Sequence, residues 1–74
     1  MSLLNSLNPG DFATINAIDA ELSLSQRLLA MGFRVGKKIE LVRRASFNGP
    51  LHVRIGSTDV ILRESEAKLI QISH

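Results

Sequence analysis

Seventy-four residues without a cysteine leave room for one small domain and exclude both a disulfide framework and a thiolate metal site. A chain this short buries only about 60% of the surface that its unfolded form exposes, so hydrophobic packing in a modest core has to hold it together. Nine Lys and Arg against seven Asp and Glu give a net charge of +2, too small an excess to name a partner, and no stretch approaches the ~20 apolar residues of a membrane span.

The opening MSLLNSLNPG has neither the basic region nor the apolar run of a signal peptide and reads as the start of a cytoplasmic chain. Leu4 and Leu7 are candidate apolar anchors, and the Pro9-Gly10 turn leads into a first strand, DFATINAI, with Ala13 and Ile15 facing inward. Leu24, Leu28 and Met31 recur at helical spacing, and Ser23 stands three residues before Gln26, the pattern of reciprocal capping at a helix start. This predicts a short helix from Leu24 to Met31. Gly32 then suits the left-handed position past a helix end, with Phe33 placed to close back on Leu28.

KKIELVRRAS, PLHVRIGS and TDVILRES follow as three consecutive strands, each rich in Val, Ile or Leu and bounded by turn residues. In the middle one Leu51, Val53 and Ile55 share a face, while His52 and Arg54 take the other. Asn48-Gly49 and Gly56-Ser57 mark the two tight turns. SEAKL makes one helical turn before a short closing strand, IQIS. The expected fold is mainly β: a small barrel of about five strands, with a short helix after the first strand and a helical turn before the last. Closing the sheet would remove unpaired edges, and residues 1–74 form a single domain.

Little in this pattern suggests catalysis. No Ser or Asp is spaced to serve His52 as nucleophile or orienting group, and Glu64 and Glu66 at the start of a helical turn suit the helix dipole better than acid–base work. His52 and His74 make no metal-ligand motif, no glycine-rich phosphate cradle occurs, and no cofactor is expected. Lys37, Lys38, Arg43, Arg44 and Arg54 could gather into a basic stripe that neutralises phosphates, although solvated outer-face charge is the plainer reading. Single-strand binders add aromatic platforms. Here there is no Trp or Tyr, and of Phe12, Phe33 and Phe47 two are expected to be buried, which makes nucleic-acid binding the runner-up.

Three stretches taken in order resemble FeoA, the small cytosolic component of the bacterial ferrous iron transport system. The first holds Leu4, Leu7, Pro9-Gly10, Ala13 and Ile15; the second Arg27-Leu28, Gly32-Phe33, Gly36 and Ile39; the third Gly49-Pro50, Leu62-Arg63, Glu66-Ala67, Ile70 and Ile72. Val35 stands where the family often has proline before the glycine read as Gly36, and Phe47-Asn48 where it frequently has proline and glycine. The resemblance implies an SH3-like barrel that acts through FeoB, the membrane permease with a cytosolic GTP-binding domain, as a non-catalytic accessory protein without membrane insertion. It is compatible with weak self-association.

Such a protein could steady the permease, alter its nucleotide cycle or supply a charged group, an arginine finger at Arg34 being the sharpest form of the last. Partner contact is expected on the helix and its following loop, at Arg27, Phe33 and Arg34, and secondarily at outward Arg43, His52 and Arg54. The remaining motif residues, from Pro9 and Gly10 to Arg63, Glu66 and Ala67, are expected to be structural. FeoA-like domains also end iron-dependent repressors, whose helix-turn-helix and metal ligands this chain lacks.

Overall fold

Alternating apolar and polar residues build most of the molecule. The computed structural model describes residues 2–74 and contains strands β1 (Ser2–Leu3), β2 (Phe12–Ile18), β3 (Lys38–Arg44), β4 (Leu51–Ile55), β5 (Thr58–Leu62) and β6 (Ile70–Ser73). They pair antiparallel in one sheet of order β1-β6-β2-β3-β4-β5. Helix α1 (Leu22–Ala30) lies between β2 and β3, helix α2 (Glu64–Ala67) between β5 and β6, and a 3-10 turn covers Leu4–Ser6.

The mainly β architecture agrees with the sequence, with six strands where about five are expected. The addition is β1, where Ser2 pairs with Ile72 and Leu3 with Gln71; two residues are too few to show an alternation. The sheet also keeps edges that closure would have removed, because among the described residues β1 and β5 each pair on one side only.

Alternate residues point inward and meet in one cluster. Ala13 and Ile15 come from β2, Ile39 and Leu41 from β3, Leu51, Val53 and Ile55 from β4, Val60 and Leu62 from β5, and Ile70 and Ile72 from β6. Leu4, Leu7, Leu28, Phe33 and Ala67 complete it from the turns and helices. A bulge in β3 between Leu41 and Arg43 changes the phase of that alternation, so that Arg43 pairs with outward His52 and Arg44 with buried Leu51. Arg44 is thereby aimed over the end of the sheet. Its guanidinium donates to the carbonyls of Asn5 and Leu7 and meets the Glu64 carboxylate at 3.2 Å, while the Asn5 side chain donates to the other Glu64 oxygen at 2.8 Å. Three elements distant in sequence are tied together there.

The ends of α1 show why it has the length it has. Its N-cap is Glu21, whose carboxylate accepts from the Ser23 hydroxyl at 2.6 Å and from the amides of Leu24 and Ser23 at 2.7 and 3.1 Å. These bonds, the Ser23 hydroxyl first, hold its carboxyl below the usual range. The helix therefore starts before the Ser23–Gln26 pattern predicts, because Glu21 accepts from two of the free amides and draws Ser23 into the first turn. At the other end the Phe33 amide donates to the Leu28 carbonyl and the Gly32 amide to that of Leu29, both at 3.0 Å, with Gly32 at φ +100°. Phe33 and Leu28 are both fully buried, which gives the apolar closure the sequence predicts.

The β3–β4 hairpin departs from its prediction by one position. Phe47 and Asn48, at φ +58° and +57°, form the centre of the turn, and the Gly49 amide donates to the Ser46 carbonyl at 3.2 Å. Gly49 is needed for space: a Cβ there would lie 2.7 Å from the Ala45 Cβ and 3.1 Å from the Ser46 carbonyl oxygen. Residues 45 and 49 thus approach too closely for two side chains, while the left-handed positions of the turn are Phe47 and Asn48.

Candidate functional site

Helix α1 carries two apolar stripes. Leu24, Leu28 and Met31 turn toward the core. Leu22 and Leu29, seven residues apart and so on one helix face, are 73% and 50% exposed. Beside Leu29 opens a groove of about 540 Å³ lined by Ile18 from the end of β2, Ser25 and Leu29 from α1, and Phe33, Arg34 and Val35 from the loop that follows. Val35 is 67% exposed, whereas Phe33 is buried and closes the floor. Lys37 follows closely in the chain, its amide bonded to the Arg34 carbonyl at 3.1 Å.

Of the residues expected on this surface, Arg34 and Phe33 line the groove and Arg27 does not. Phe33 is fully buried through the Leu28 closure that ends the helix, so it meets the groove only as its floor. Arg27 points to a different side, where its guanidinium pairs with Glu66 beside Met31, Ile61 and Leu62. Glu66 also accepts from the Arg63 amide at 2.9 Å, capping α2. Leu22, Leu29 and Val35 were missed. The seven-residue spacing of the two leucines was visible, but nothing in the sequence distinguishes a stripe that meets the core from one that meets solvent.

The second group, Arg43, His52 and Arg54, lies on the outer face of β3, β4 and β5. Arg54 donates to both oxygens of Asp59 at 2.7 and 3.3 Å and stands 3.8 Å from Glu40. The Arg54 guanidinium chiefly holds the Asp59 carboxyl below its usual range, and Asp59 in turn raises the pKa of Arg54. His52 Nε2, a buried nitrogen, lies 3.2 Å from Asp59 Oδ2.

This cluster alters the reading of the basic stripe. Arg54 is engaged by Asp59 and Glu40, Arg44 by Glu64, and Lys38 sits 5.3 Å from the centre of the Phe12 ring. Only Phe33 of the three phenylalanines is buried, against the two expected: Phe12 lies on the outer face and Phe47 is fully exposed at the hairpin tip. Among the described residues no three His, Cys, Asp or Glu converge as metal ligands. No helix among the described residues is long and apolar enough to cross a membrane.

The family model described as the FeoA domain matches residues 2–74. The chain belongs to the FeoA family. A Campylobacter jejuni protein with the provisional name Fe(2+) transport protein A is 34% identical over 70 residues, covering 95% of each chain. A Porphyromonas gingivalis fusion of Fe(2+) transport protein A with the Fe(2+) transporter FeoB is 35% identical over 69 residues, which are 93% of this chain and 8% of that one. The crystal structure of Stenotrophomonas maltophilia FeoA, solved with zinc and described as a procaryotic SH3 domain protein, superposes with a TM-score of 0.86 at 27% identity, covering 99% of this chain and 91% of that one. The FeoA domain and SH3-like fold expected from the sequence are thus those of its relatives.

Proposed function

We propose that this FeoA-family chain is a non-catalytic, cytoplasmic accessory protein of ferrous iron uptake that binds a FeoB-type permease and biases the state of its GTP-binding domain. The observation that carries this reading is the Porphyromonas gingivalis relative, in which a domain 35% identical to this chain is fused to FeoB. Fusion fixes a ratio of one to one and raises the concentration of one part around the other, which is useful when the two act together.

The geometry supports binding over chemistry. His52 and Asp59 form the nearest approach to an acid–base pair, but they sit on the outer sheet face with Asp59 already held by Arg54. The internally paired Arg44 and Arg54 leave a weakened phosphate-binding stripe, which disfavours the nucleic-acid alternative. A protein that only binds can alter transport by preferring one conformation of its partner, and a tenfold preference shifts that equilibrium by about 1.4 kcal/mol.

The test is reconstitution of the permease of the same organism in liposomes, with ferrous iron uptake and GTP hydrolysis measured with and without this protein. A saturable change of at least about twofold in either rate is expected. No binding and no change in either rate would overturn the proposal. Arg34→Ala in the same assay examines the arginine-finger form: unchanged GTP hydrolysis would leave conformational biasing as the mechanism.

A further inference from the structure

We infer that the tip of the β3–β4 hairpin is a contact for an anionic lipid surface, with the Phe47 ring entering the boundary between headgroups and acyl chains and Arg43 and Arg63 meeting lipid phosphates. This goes beyond the accessory reading and does not depend on it.

Phe47 is fully in water, at 102% exposure. Its backbone sits at φ +58°, a left-handed conformation that is natural to glycine and an outlier for a bulky residue. The turn does hold a glycine, but at position 49, where space requires it. A strained residue whose ring packs against nothing does not help the monomer to fold, and backbone strain of this kind collects at functional sites.

The ring has apolar and cationic company. The register sets Arg43, His52 and Ile61 abreast across β3, β4 and β5 on the outer face. These three line one cleft with Ala45 and Pro50, the residues on either arm of the hairpin, where the Ala45 amide donates to the Pro50 carbonyl at 3.0 Å. Ile61 is 65% exposed, and on its other side Pro50 and Ile61 border a second cleft together with Arg63. Pro50 and Ile61 therefore form an apolar ridge behind the Phe47 tip, with an arginine on either side.

Charge selects lipid. From Leu41 to Thr58 the chain has no carboxylate. The acids nearest this face are already held: Asp59 by Arg54, with His52 3.2 Å away, Glu64 by Arg44 and Glu66 by Arg27. Arg43 and Arg63 have no carboxylate within ion-pair distance among the described residues, and although Arg34, Lys37, Lys38 and Lys68 share that property, they do not border the ridge. A protein partner would have to offer a pocket and two carboxylates in one fixed pattern. An anionic bilayer presents hydrocarbon beneath mobile phosphates at every lateral position, which suits a projecting ring flanked by guanidinium groups.

The chain has no Trp or Tyr, so Phe47→Trp installs a single fluorescent reporter at the tip. The full chain is mixed with vesicles of phosphatidylcholine and phosphatidylglycerol in equal parts, and with vesicles of phosphatidylcholine alone. Lipid is raised from about 1 mM, the range in which one ring and two charges give measurable partition. With the mixed vesicles the emission is expected to shift to the blue and to be quenched by lipids brominated along the acyl chain. Phe12→Trp is the control, since Phe12 is half exposed beside Lys38 and close to Gly56 at the far end of β4, and no shift is expected there. In flotation, Phe47→Gly should weaken partition at least about tenfold, and Arg43→Ser and Arg63→Ser about fivefold each. Serine at position 63 keeps a capping side chain at the start of α2. Phe47→Gly also relieves the left-handed strain, so its Tm should be no lower than that of the wild type, which separates loss of lipid contact from loss of fold.

Absence of wild-type partition into the anionic vesicles, or partition that Phe47→Gly leaves unchanged, would overturn the inference. Equal partition into phosphatidylcholine alone would remove the arginines from the contact and overturn it as well. A blue shift that appears only in vesicles carrying the permease would replace lipid with a protein pocket. The plain vesicles hold no permease, so failure in them leaves the accessory role standing.

Discussion

Adjacent leucines in α1 allow burial to be separated from helix propensity. Leu28 is fully buried, whereas Leu29 is half exposed at the groove. Leu28→Ala removes a core side chain and leaves a cavity, which costs about 3–5 kcal/mol. Leu29→Ala gives up only about half of a burial worth ~2 kcal/mol, and the helical preference of Ala returns a few tenths, for a net loss below about 1 kcal/mol. A gap of at least about 2 kcal/mol should separate the two variants. Small domains typically have ~5–15 kcal/mol in total, so Leu28→Ala approaches the limit of what this one can bear. Urea unfolding at 25 °C, followed by far-ultraviolet circular dichroism, measures both losses. In thermal unfolding Leu28→Ala should lower Tm by more than about 12 °C, at about 4–8 °C per kcal/mol for a domain of this size. Equal losses, or a larger loss for Leu29→Ala, would refute the assignment of core and surface stripes and with it the framing of the groove.

Three further outcomes follow from other contacts. Gly49→Ala should cost about 1–3 kcal/mol through the 2.7 Å approach to the Ala45 Cβ, and Ala45→Gly should recover part of that loss in the double variant; strict additivity in urea unfolding would exclude the clash. Arg44→Met leaves the Asn5 and Leu7 carbonyls and the partly exposed Glu64 carboxylate without their shared donor, so a loss of about 1–3 kcal/mol is expected, and wild-type stability would show that water replaces the guanidinium fully. The Asp59 pKa is lowered in the fold below its ordinary value near 3.8, so its stabilising contribution is present above that value and is lost as pH falls through the lower folded value. Asp59→Asn should therefore flatten the acid limb of a stability–pH profile, and an unchanged limb would show that the Arg54 contact does not persist in solution.

Much of the fold was legible because its rules are local. The alternation of Leu51, Val53 and Ile55 with His52 and Arg54 determines which face of β4 is inward, and Gly32 followed by Phe33 determines how α1 closes. Family membership was legible for a similar reason, since the order and spacing of many modest signals survive where any single one is common. Even so, local rules compete. Glu21 displaced the Ser23–Gln26 pattern at the first amides of α1, and the positive-φ pair of the hairpin falls on Phe47-Asn48, one position before Asn48-Gly49.

The sites depended on contacts between residues far apart in sequence. Arg27 and Glu66 are 39 residues apart, and Arg44 reaches Asn5 across the same interval, so spacing could not reveal that these charges were already engaged. The closure of Phe33 on Leu28 was readable locally, but that its ring floors a groove depends on Ile18, which lies 15 residues earlier. The sequence by itself determined five of the six strands and the helix, because those follow from periodicity and turn chemistry within short windows, and it carried the family resemblance in the order of its motifs. Only the tertiary structure decided which charges remain uncompensated and which apolar stripe of α1 faces water, because both depend on what the rest of the chain brings alongside.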